Sequence, residues 1–437
     1  MNNRDLICEN LSVNDEGILL FAGQSTVQLA KQYGTPLYLM DEDRVRNRMQ
    51  TYVKGMHAAF GEYGHVLYAS KAASFKRIYE IAKEEGVGVD VVSSGEIATA
   101  AKAGFPLEQA YFHSNNKTDW DIRYAIKKGV GFFVVDNEEE LYAIDTIAGE
   151  YGKKQPLLLR ITPGIDPHTY AAVNTGTVDS KFGSAIETGQ AEAITRFALS
   201  LPNIELQGFH CHVGSQVFDA QVPLQTAEIM ILFLADMYRK LGFAAKKLDL
   251  GGGYGVRYTH NDPYMDIEQN LLTVGRRVQM LVAEHKIPMP HIYMEPGRSI
   301  VADAGMTLYT MGTCKRIPGY KSYVSVDGGM TDNPRYILYG SSYTLLPATR
   351  MQEDRNMLCS VVGRCCESGD IIQENVPMPD TLKRGDLIAC LTTGAYNYSM
   401  ASNYNRIPRP ALVMLRDGES YVAIQRETPD DMARLDI

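Results

Sequence analysis

Between residues 65 and 297 the chain keeps one rhythm: short apolar, β-branched runs that end in polar residues, most of them followed by a stretch of helical periodicity. The runs cover 65–70, 87–92, 110–113, 131–135, 157–161, 206–212, 247–250 and 292–295. Over 74–85 the apolar positions Phe75, Ile78, Ile81 and Ala82 fall at three- and four-residue spacing, which predicts a helix. Gly86, Gly104 and Gly129 stand where helices should stop. Continuous apolar strands alternating with helices are the pattern of a parallel sheet buried on both faces. Eight of them suit a closed (β/α)8 barrel, with an open doubly wound sheet as the competing arrangement. A barrel over 36–304 is predicted, with 35–40 as a strand entering it.

Beyond residue 304 the rhythm changes. The segments 306–313, 322–326, 357–362, 387–391 and 411–415 are strand-like and broken by Gly, Pro, Asn and Asp. They predict a separate, mostly-β domain of sandwich or barrel type, formed by 305–437 together with 1–35, where 17–21 reads as a strand. Two domains are reasonable for 437 residues, and 45% hydrophobic with 22% charged residues argues against disorder. The formal charge of −9 gives no reason to seek nucleic acid or an anionic membrane surface. No run of about 18 apolar residues occurs, and the first residues lack a signal-peptide pattern. Seven cysteines with no C-x-x-C spacing form neither a disulfide framework nor a zinc ribbon. A cytoplasmic setting is the expectation.

In such a barrel the chemistry collects at the C-terminal strand ends. The first run ends at Lys71, either an exposed strand end or an amine whose pKa is lowered enough to form a Schiff base. The seventh leads into Gly251, Gly252 and Gly253, either a plain flexible loop or a backbone cradle for phosphate. It matches neither the dinucleotide glycine pattern nor a P-loop. The eighth ends in Glu295-Pro-Gly297-Arg298, readable as a structural ion pair or as site residues. The sixth carries His210 and His212, which alternation turns the same way. A metal pair is one reading, but further ligands are not evident and no metal is assigned. A flat imidazole that stacks on a ring is the other. A phosphate cradle, an amine, a carboxylate and a stacking ring together are what pyridoxal 5′-phosphate requires of a protein.

Over almost its full length the sequence resembles the alanine-racemase-like, fold type III pyridoxal-phosphate decarboxylases, most closely the branch acting on diaminopimelate. The matching pieces begin with Tyr68-Ala-Ser-Lys71, the motif at 89–96, Asp179-Ser-Lys-Phe-Gly183, His210-Cys-His-Val-Gly-Ser215 and the triple glycine. They continue with Glu295-Pro-Gly-Arg298, the motif from Asp327 to Arg335 with Tyr339, Cys366-Glu-Ser-Gly-Asp370 and Gly394-Ala-Tyr396. The resemblance implies that Lys71 carries the cofactor, that His212 stacks on its ring and that Glu295 bonds the ring nitrogen. Ser215, Gly251 to Gly253, Gly297 and Arg298 then form the phosphate neighbourhood. It further implies that Arg298, Arg335, Tyr339, Glu367 and Tyr396 bind substrate, with Tyr396 also on the cofactor, and that Cys366 donates a proton. A homodimer with shared sites is implied as well.

The implied reaction converts meso-2,6-diaminopimelate to L-lysine and CO2, the last step of lysine biosynthesis. The rivals are a decarboxylase of ornithine, arginine or carboxynorspermidine, a racemase on the same fold, and a non-catalytic regulator. Two features depart from the family's pattern: Cys365 directly precedes Cys366, and Tyr336-Ile337 follows Arg335.

Overall fold

The computed structural model describes residues 6–165 and 180–437, so Asp179 lies outside the described residues. The chain folds as two units. One comprises 48–255 and 264–299, the other 1–47, 256–263 and 300–437.

In the first unit, eight parallel strands form a closed ring: β1 (Gly64–Ala69), β2 (Gly88–Val91), β3 (Ala110–Phe112), β4 (Phe132–Val135), β5 (Gln155–Thr162), β6 (Ile204–His210), β7 (Lys247–Asp249) and β8 (His291–Met294). Each pairs with its successor, and β8 returns to β1 through Ile292, Tyr293 and Met294 against Gly64, His65 and Val66. The barrel is therefore closed, and the open sheet is excluded. Every strand coincides with one of the eight apolar runs, because a strand covered on both faces must be apolar throughout.

The intervening helices follow local rules. Helix Asp119–Lys128 starts at a capping box in which Thr118 Oγ1 accepts from the Asp121 N–H and the Asp121 carboxylate accepts from the Thr118 N–H, each at 3.2 Å. It buries Ile122, Ala125 and Ile126, and ends at Gly129, whose left-handed backbone (φ 79°) disfavours a side chain. Among the described residues no helix is long and apolar enough to cross a membrane.

The second unit is built on a sheet whose centre is the strand Leu37–Asp41. That strand pairs antiparallel with Gly305–Ile317 and parallel with Ala411–Arg416. This corrects the expectation that 35–40 enters the barrel. The segment is buried on both faces as a barrel strand would be, so its composition reads the same in either sheet. Alternate residues of four strands share one side: Leu37 and Leu39; Met306 and Leu308; Leu387, Ala389 and Leu391; Ala411, Val413 and Leu415. Leu11, Leu19, Phe21 and Leu29 join that core, as do Leu346, Ala348 and Met351. Strands at Ile371–Met378 and Glu419–Ile424, which have no run in the sequence reading, extend the sheet at its two ends.

Candidate active site

The parallel strands bring their C-terminal ends to one mouth of the barrel. Lys71 follows β1 with its side chain 43% exposed, and its Nζ lies 3.8 Å from Asp90 Oδ2 on β2. Asp90 is fully buried, and neither carboxylate oxygen has an aligned hydrogen-bond donor. Burial pushes its pKa up, and the nearby His113 and Lys71 oppose that shift.

His113, just past β3, places Nε2 2.8 Å from Glu295 Oε1, while His210 at the end of β6 bonds Glu295 Oε2 through Nε2 at 3.0 Å. All three are buried. Burial alone would raise the Glu295 pKa, but the two imidazoles outweigh it and hold the group well below the usual carboxylate range. Burial pushes His210 down to about 3, so it serves as a neutral N–H donor to a carboxylate anion. The candidate metal group among the described residues is this trio, whose ligand atoms lie within 4.8 Å of one another, and it does not include His212. The alternation of His210 and His212 thus does not make a pair: His212 Nδ1 instead accepts the Gly252 N–H at 3.3 Å.

The three glycines are demanded by close backbone approach. A Cβ on Gly252 would come 2.1 Å from the Glu295 carbonyl oxygen; one on Gly251 would meet Cys211 O at 2.5 Å, and one on Gly253 would meet Gly214 O at 2.2 Å. Arg298 is buried and donates from Nε to Ser215 Oγ at 3.1 Å, tying the end of β8 to the loop after β6. Gly297 packs against Ala69, two residues before Lys71, where an added Cβ would lie 2.9 Å from the Ala69 Cβ.

Glu96 lies on the helix Ser94–Lys102 that follows β2. Its Oε2 accepts from the Val92 N–H at 2.7 Å and from Ser70 Oγ at 3.0 Å, and burial pushes its pKa up to about 7. An acid whose folded pKa is raised binds its proton more tightly when folded, so its contribution to stability falls as pH rises from about 4.3 towards 7. Glu96→Gln should therefore gain Tm relative to the wild type between pH 5 and pH 8. A thermal-melt difference that stays constant over this range would refute the shift.

Within the other unit, Arg335 and Tyr339 lie one helical turn apart on Arg335–Tyr339. The Arg335 guanidinium lies over the Tyr339 ring (5.0 Å) and the Tyr396 ring (5.3 Å), with Nη1 3.9 Å from Met400 Sδ. Arg335 is buried, its Nε has no hydrogen-bond partner, and no carboxylate among the described residues pairs with it. Tyr396 has a strained positive φ of 63°. Cys366 is exposed, its N–H donating to Asn405 Oδ1 at 2.8 Å. Glu367 is exposed as well, its Oε1 accepting from Ser368 Oγ and the Gly369 N–H. Cys365 differs: burial, with Asp370 beside it, pushes its thiol up to about 12. Tyr336, one of the departures from the family pattern, bonds Glu374 Oε2 at 2.9 Å.

Residues 42–302 match the model of the pyridoxal-dependent decarboxylase family, pyridoxal binding domain. The chain is 42% identical over 424 residues to the diaminopimelate decarboxylase of Bacillus subtilis, covering 97% of this chain and 96% of that one. It is 37% identical over 436 residues to the Mycobacterium tuberculosis enzyme of the same name, covering 98% and 97%. The chain belongs to the diaminopimelate decarboxylase family. Among solved structures, the diaminopimelate decarboxylase of M. jannaschii in complex with L-lysine superposes with a TM-score of 0.90 at 30% identity, covering 98% of each chain. A Vibrio vulnificus lysine/ornithine decarboxylase, at 24% identity and a TM-score of 0.77, shares the fold.

The barrel mouth fits the cofactor of this family. It offers an amine at a strand end, a loop in which Cβ atoms have no room, and a buried carboxylate whose Oε1 lacks an aligned donor. Two residues of this mouth, Asp90 and His113, were not singled out in the sequence. Asp90 lay within the 89–96 motif without a role of its own, and His113 was marked only by its place at the end of the third apolar run.

Proposed function

We propose that the chain removes one carboxylate of meso-2,6-diaminopimelate as CO2 and yields L-lysine, using pyridoxal 5′-phosphate held on Lys71. When bound, the cofactor supplies an electron sink for the pair released as the carboxylate departs. Everything else falls to the chain. Gly251 to Gly253, Ser215, Gly297 and Arg298 hold the phosphate, and the His212 ring offers its flat face. Glu295, kept anionic by His113 and His210, would accept a hydrogen bond from the protonated ring nitrogen. Asp90 lies beside the Lys71 amine, with Oδ2 3.8 Å from Nζ. Cys366 delivers the proton that replaces CO2, a role suited to an exposed thiol and not to Cys365, whose thiol is pushed up by burial and by Asp370.

The observation that carries the substrate assignment is Arg335: a buried guanidinium without a carboxylate partner, braced by two tyrosine rings. A planar fork of this kind suits bidentate binding of a carboxylate, and diaminopimelate retains one at its far end while ornithine and arginine have none. Glu367 and Tyr339 complete the reading as contacts to that end, and Tyr396 as a contact to substrate and cofactor. The test is decarboxylation assayed across the diaminopimelate isomers, ornithine and arginine. Faster turnover of ornithine than of every diaminopimelate isomer would overturn it.

The reading includes a homodimer in which the exposed Cys366–Glu367 turn of one subunit serves its partner's barrel, in a cytoplasmic setting where the cysteines stay free. Equal mixtures of Lys71→Ala and Cys366→Ala subunits, each inactive alone, should then recover about a quarter of wild-type activity after dissociation and reassembly. Half of the dimers formed would be mixed, each with one intact site. No recovery, with reassembly verified by sedimentation, would show that each subunit works alone.

A further inference from the structure

The barrel has a second mouth, at the N-terminal ends of its strands, and it contains a cavity of about 300 Å3. Its lining includes His65 of β1, Tyr111 of β3, Phe132 of β4, Lys247 of β7 and Tyr293 of β8. None of these residues takes part in the site described above. Cavities of this size lie at the lower end of the range for small-ligand sites.

Lys247 sets the chemistry. Its Nζ lies 4.5 Å from the ring centroids of both Phe132 and Tyr293 and 5.9 Å from that of Tyr111, and it donates to the Tyr293 hydroxyl. An ammonium has three donors, and this bond uses one. No carboxylate among the described residues pairs with it; Asp249 acts on it from two residues along its own strand, and Glu108 lines the cavity. The neighbouring imidazoles add no charge. His65 and His291 share one hydrogen bond (Nε2 to Nδ1, 2.8 Å), and burial with mutual repulsion pushes His65 down to about 4. The cavity thus holds a cation with no ion-pair partner among the described residues, aromatic walls and two donors left over. Removing a cation from water without a counterion is costly, and burial accordingly pushes the Lys247 amine down to about 8. A carboxylate placed against Nζ would remove that cost and use the remaining donors.

We infer that the cavity at the N-terminal mouth of the barrel is a binding site for a small carboxylate carried on an apolar body, with Lys247 as its anion-binding group and the Tyr111, Phe132 and Tyr293 rings as its walls. Plain monocarboxylates and α-amino acids both bear this group, so the probes must separate them.

The test uses the holoenzyme and the amine itself as reporter. At pH 7.5 an amine of pKa near 8 has a neutral fraction on the order of a hundred times that of an ordinary lysine. Brief acylation with an acetyl N-hydroxysuccinimide ester should therefore mark Lys247 early in a peptide map. Saturating benzoate should slow that labelling at least tenfold, while neutral benzamide should not. Protection by L-phenylalanine as well would identify the carboxylate as the shared determinant; protection by benzoate alone would identify plain monocarboxylates. Calorimetric binding of benzoate should be lost in Lys247→Met and kept within tenfold in Lys247→Arg. Labelling unaffected by both acids, equal protection by benzamide, or benzoate binding that survives in Lys247→Met would each overturn the assignment. The wild-type protection experiment decides the matter even where the methionine variant fails to fold.

Discussion

Lys71→Ala is expected to lower kcat by at least about a thousandfold and to abolish the visible absorbance of the bound cofactor, because in the proposed reaction this amine is the group that anchors the cofactor. The geometry adds a second consequence. Asp90 is fully buried with no aligned donor on either oxygen, and Lys71 at 3.8 Å and His113 at 3.8 Å are the basic groups facing it. Removing the amine takes away one of the three cationic influences, His113, Lys71 and Arg160, that oppose the burial-driven rise of its pKa. The variant should thus hold Asp90 protonated to higher pH, which difference infrared spectroscopy of the carboxylic acid band can follow. Colour and turnover that survive the substitution would remove position 71 from the mechanism.

Arg335→Ala is expected to reduce kcat/KM for diaminopimelate at least about 30-fold, corresponding to the roughly 2–5 kcal/mol lost when one member of a buried charge pair is removed. Arg335→Lys should recover only part of this, since a point charge cannot reproduce two parallel N–H bonds held between tyrosine faces. Melting temperature separates the two ways the variant could fail. The guanidinium has no protein carboxylate to leave stranded, so the fold should lose little stability while activity falls. A loss below threefold would refute the assignment of Arg335 to the distal carboxylate.

How far these features were legible depends on how local their causes are. The eight barrel strands were readable because burial on both faces leaves an unbroken apolar run wherever the strand lies. Lys71, the triple glycine and Glu295 stood out as chemistry at the ends of such runs. The turn-spaced pair Arg335 and Tyr339 was found as a motif, and helix geometry explains why the two side chains meet. Tyr396, far along the chain, joins them through a loop with positive φ that no periodicity announces. The segment 35–40 was misplaced because its apolar pattern suits the centre of either sheet.

Periodicity and residue chemistry were thus enough for the eight barrel strands, the β-rich second unit and the cofactor-type strand ends, since each is dictated by neighbours within a few residues. The clamp of His113 and His210 on Glu295 and the aromatic box around Lys247 came only with ring closure. Each joins side chains from strands far apart in sequence, and which strands face one another across a barrel is set by pairing and register, which no short stretch of chain encodes.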